Sequence, residues 1–65
     1  MNITRGPYSA DVGPVYIGGR RRPEFQIVVS RYGMPIYEQL EYDFEEAVSV
    51  AGAYIEWQLE QHTDS

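Results

Sequence analysis

The stretch from Asp43 to Gln61, DFEEAVSVAGAYIEWQLEQ, decides how the rest of the chain is read. At 3.6 residues per turn, Phe44, Ala47, Val48, Ala51, Ile55 and Leu59 fall on one continuous apolar stripe. Glu45, Glu46, Ser49, Ala53, Glu56 and Glu60 fall on the opposite side. Val50, Tyr54 and Trp57 flank the stripe as an aromatic shoulder. Asp43 is a favourable N-cap, and Glu46 follows it by the spacing of a capping box. Glu45 and Glu46 also place negative charge at the positive end of the helix dipole. The spacing therefore predicts an amphipathic helix with an inner face, an acidic outer face and an aromatic flank.

Working back from this helix, the segment Ile36 to Tyr42 (IYEQLEY) alternates as a strand. Ile36, Glu38, Leu40 and Tyr42 share one side; Tyr37, Gln39 and Glu41 share the other. The more apolar set, Ile36, Leu40 and Tyr42, is expected to face inward, with Glu38 at a margin. Tyr32-Gly33-Met34-Pro35 has hairpin-turn chemistry, because Gly33 tolerates positive φ and Pro35 lacks an N–H for further pairing. Glu24 to Arg31 (EFQIVVSR) is the clearest strand, with Phe25, Ile27 and Val29 on one face. Val15-Tyr16-Ile17 is β-prone and short, and Gly18-Gly19 suits a tight turn. Met1 to Pro14 carries two breakers, Gly6-Pro7 and Gly13-Pro14, and reads as irregular. Only Tyr8, Ala10 and Val12 hint at a short edge strand there. The fold class expected is α+β: a small antiparallel sheet of two or three strands packed on one C-terminal amphipathic helix. Its uncovered face would carry Tyr37, Gln39, Glu41, Gln26 and Val28.

A chain of 65 residues forms one domain with a modest core, here residues 1–65 with an irregular N-terminal segment. It has no cysteine, which excludes disulfide support, thiolate catalysis and cysteine-ligated zinc. No apolar run is long enough to span a membrane, and no basic start with an apolar stretch marks a leader. A cytoplasmic location is expected.

No residue pattern here points to catalysis. His62 is the only histidine and stands in the tail, without a partner to orient it. Glu45 with Glu46, and Glu56 with Glu60, are surface carboxylates unless a cleft encloses them. Gly18-Gly19-Arg20 lacks the lysine and spacing of a phosphate-binding loop. The chain reads as a binding protein rather than an enzyme, with no cofactor and no metal site.

The net charge is −5, from ten acidic and five basic residues, and every basic residue is an arginine. Arg5, Arg20, Arg21, Arg22 and Arg31 lie in the first half. Glu38, Glu41, Asp43, Glu45, Glu46, Glu56, Glu60 and Asp64 lie in the second. This divide predicts an acidic surface that meets a basic partner, with Tyr54 and Trp57 as anchors beside the carboxylates. The partner-binding set is thus Glu38, Glu41, Asp43, Glu45, Glu46, Tyr54, Glu56, Trp57 and Glu60. In size, acidity and lack of a catalytic motif, the whole chain resembles the small phage-encoded inhibitor proteins of the anti-CRISPR type. No motif matches residue by residue. The resemblance implies a DNA mimic whose partner is a basic nucleic-acid-binding protein or complex, such as a CRISPR Cas complex, in the cytoplasm of a host cell. Two other readings remain open. Arg20, Arg21 and Arg22 with the sheet face would suit a small nucleic-acid-binding module, although net acidity and the lack of lysine weigh against it. Exposed aromatics would equally suit a structural or antitoxin-like interaction protein.

Overall fold

The computed structural model describes residues 1–62. The reading of the tail falls outside the described residues, as does the side chain of His62. The chain forms strands β1 (Asn2–Arg5), β2 (Tyr8–Ile17), β3 (Arg20–Arg31) and β4 (Met34–Glu41), followed by helix α1 (Phe44–His62). The strands run as an antiparallel meander in the order β1-β2-β3-β4. The α+β class and the C-terminal helix are as expected; the sheet has four strands rather than two or three.

The extra strands come from the segment read as irregular. Gly6-Pro7 ends no structure but turns β1 into β2, with Arg5 opposite Tyr8. Gly6 has φ 59° and Pro7 holds its own φ negative, the sign pattern of a type II′ hairpin turn. Gly13-Pro14 also fails to break the chain. Pro14 pairs with Phe25 beyond the last β1 residue, where β2 has a free edge and a missing N–H is tolerated. Gly18-Gly19 and Tyr32-Gly33 have positive φ at both positions, as type I′ turns require.

The buried core is Tyr8, Ala10 and Val12 from β2, Ile27 and Val29 from β3, and Ala47, Ala51 and Ile55 from α1. Alanines at 47 and 51 let the helix lie close on the sheet. Val48 and Leu59 are half-buried beside this core. Phe44 is 39% exposed and sets its ring edge-on to Phe25 at 5.4 Å. Asp43 takes the N-cap position, and its carbonyl accepts from the Ala47 N–H at 2.9 Å.

Strand β4 reverses the expected orientation. Ile36, Leu40 and Tyr42 are exposed, whereas Tyr37, Gln39 and Glu41 are half-buried on the helix side. The cause is a bulge. Arg31 pairs with Met34 and Ser30 with Pro35, but Val29 pairs with Tyr37, which leaves Ile36 extra. A regular ladder from this turn would set Ile36 opposite Val29 and bring Glu38 under the helix. One added residue moves the whole strand to its other face.

A second irregularity lies between Pro14 and Tyr16, where Val15 stands opposite Arg22, Pro23 and Glu24. Beyond it neither β1 nor β4 continues alongside, so Val15 to Glu24 extends as a two-stranded arm. The molecule is accordingly long, at 45 × 21 × 15 Å.

Candidate protein-binding surface

Helix α1 exposes Glu45, Glu46, Glu56 and Glu60 together with Ser49 and Ala53, because its opposite side is committed to Ala47, Ala51 and Ile55. Eleven residues separate Glu45 from Glu56, a rise of about 16 Å. Glu56 makes an ion pair with Arg5 at the end of β1, both side chains being half exposed. Glu45 also borders a shallow apolar recess of about 340 Å³ with Met1, Phe44, Val48 and Ser49.

The acids ahead of the helix do not join this row as a single line. Strand alternation sends Glu38 to the open sheet face, where the Gln26 amide donates to it at 3.3 Å. Glu41 lies on the helix side, where Gln39 Nε2 donates to its carboxylate. Gln39 in turn accepts from the Tyr37 hydroxyl. Asp43 is exposed at the helix start.

Tyr37, brought to the helix side by the bulge, stacks on Tyr54 with centroids 4.2 Å apart and planes 14° from parallel. Trp57 continues the row, 6.0 Å from Tyr54 and 51% exposed. Gln58 Nε2 donates to the Tyr54 hydroxyl at 3.0 Å. Of the two aromatic residues proposed as anchors, Tyr54 is half-buried and Trp57 is exposed. Tyr37 and Gln39 lie on the face opposite to the one that strand alternation predicts. The only sequence signal for their true position was Pro35, which disrupts regular pairing just after the turn.

The open sheet face is polar at the β1 side and mixed at the β4 side. Asn2 Nδ2 donates to Asp11 and Thr4 Oγ1 donates to Asn2, each at 3.0 Å. Leu40, 55% exposed, stands on the face that also carries Gln26 and Glu38.

The arm carries Arg20, Arg21 and Arg22 with exposed Tyr16 and Ile17. Arg21 sits over the Phe25 ring at 5.2 Å, and Arg22 pairs with the largely buried Glu24 at 3.4 Å. Among the described residues no three histidine, aspartate or glutamate side chains gather as a metal-ligand set. Among the described residues no helix is long and apolar enough to cross a membrane. No protein-family model, curated protein or solved structure matches this chain.

Proposed function

We propose that this protein is a non-enzymatic, cytoplasmic inhibitor that docks on a basic nucleic-acid-binding protein and blocks it, as an anti-CRISPR-like DNA mimic does. The observation that carries this reading is the charge divide along the chain. No lysine or arginine follows Arg31, so β4 and the described part of α1 add no lysine or arginine beside their carboxylates, and Glu56 pairs with Arg5 from β1. Four of these carboxylates share the exposed side of one helix. Duplex DNA carries a charge about every 1.7 Å of axis, far denser than this row. Charge alone therefore steers the encounter, and Trp57 with Tyr54 supplies the apolar anchor that holds it.

The test begins with capture of the partner on immobilised protein. The reading requires that the captured protein bind nucleic acid and lose that binding when this chain is added. Glu45→Arg combined with Glu46→Arg should slow association about tenfold or more at low salt. The effect should shrink as salt rises, and circular dichroism should confirm that the helix persists. Trp57→Ala should instead speed dissociation. A partner that keeps its nucleic acid, or binding indifferent to both salt and reversal, overturns the proposal.

The arm favours a second reading, because it holds three arginines and an exposed tyrosine away from the acidic helix. Submicromolar binding of a short DNA duplex at physiological salt, lost on Arg20→Glu with Arg21→Glu, would establish the arm as a nucleic-acid contact instead.

A further inference from the structure

We infer that the free edge of β4 receives an extended, arginine- or lysine-bearing segment of the partner as an added strand. The inference rests on the proposed reading for the partner's charge, and it assigns the mode of docking. The strand order leaves β4 with a neighbour on one side only. The bulge and Pro35 spoil pairing at its start, so the usable edge runs from Tyr37 to Glu41.

Three features select the occupant. Glu38 and Glu41 project from opposite faces of this edge, so basic side chains on either face of an added strand meet a carboxylate. Exposed Leu40 offers apolar contact on the open face, and the Tyr37–Tyr54–Trp57 row offers it on the helix side. A second β4 laid antiparallel over residues 37–41 would set Glu38 opposite Leu40 and Glu41 opposite Tyr37, so neither carboxylate would meet a cation, because β4 carries no lysine or arginine. An added strand contributes affinity through main-chain hydrogen bonds and specificity through alternate side chains.

The probe is a short end-blocked peptide alternating arginine and valine, titrated into isotope-labelled protein. Its control carries N-methyl groups on alternate residues, which keeps the charge and removes one row of donors. The parent peptide should shift the amides of residues 37–41 and slow the exchange of those among them whose N–H faces the free edge. The control should bind about tenfold more weakly or worse, and Glu38→Lys, a change at an exposed site, should weaken the parent peptide. Equal binding of both peptides, or shifts confined to Glu45–Glu60, overturns the edge assignment while leaving the acidic-surface reading standing. Amides of β4 already protected in a peptide-free dimer would make a second copy the occupant and overturn it too. Absence of any binding overturns the edge assignment, and the salt series with the captured partner then judges the acidic surface separately.

Discussion

Tyr8 shows how a single residue can be central to the core and still imperfectly placed. It is 1% exposed, and its hydroxyl has no hydrogen-bond partner. Its ring faces the Arg31 guanidinium at 5.8 Å. A buried unsatisfied hydroxyl costs stability, whereas the ring contributes to packing. Tyr8→Phe is therefore expected to be neutral or to raise stability by about 1 kcal/mol in urea unfolding; a clear loss would mean that the hydroxyl is satisfied. Ile55 and Val48 provide the opposite comparison. Ile55 is fully buried, so Ile55→Ala should cost about 2–4 kcal/mol. Val48 is half-buried beside the recess, and Val48→Ala should cost about 1 kcal/mol or less. Equal costs in thermal unfolding would mean that Val48 is as deeply buried as Ile55. The Arg5–Glu56 pair is half exposed and contributes little, under about 1 kcal/mol.

At the level of the element, α1 was the most legible part of the chain. It is one long period with its own start signal, and its outer carboxylates are all exposed as the pattern requires. The strands were legible only where no irregularity intervened. Phe25, Ile27 and Val29 alternate in a regular stretch, and they face the helix. Gly6-Pro7 was opaque because the same dipeptide that disrupts a helix forms a tight hairpin turn. The faces of β4 were opaque because register is a long-range property, and one bulge inverts it. Tyr37 and Gln39 were missed for that reason alone. A deletion distinguishes bulge from slip. Removing Ile36 should leave Tyr37 against Tyr54, because the extra residue is the one removed. Stability should change by no more than about 1 kcal/mol. Loss of the Tyr37–Tyr54 contacts in nuclear Overhauser spectra would show that the register depends on Ile36 itself.

The whole molecule combines a two-layer body with a projecting arm. Its radius of gyration is 12.6 Å, against about 11 Å for a compact domain of this length. Amide relaxation should accordingly report anisotropic tumbling, with the long axis along the arm. Isotropic tumbling would mean that the arm folds back in solution. The polarity follows the same division, with Arg20, Arg21 and Arg22 on the arm and only carboxylates on β4 and the described part of α1. The aromatic row beside β4 has an optical consequence. Trp57 is the only tryptophan, and Tyr54 and Tyr37 are stacked beside it. Light absorbed by these two tyrosines passes to the indole, so the row emits from one residue at the edge of the candidate docking strand. Half of that indole is in water. An occupant that covers it shifts the emission to the blue, and the protein thereby carries an intrinsic fluorophore at the place where docking is to be measured.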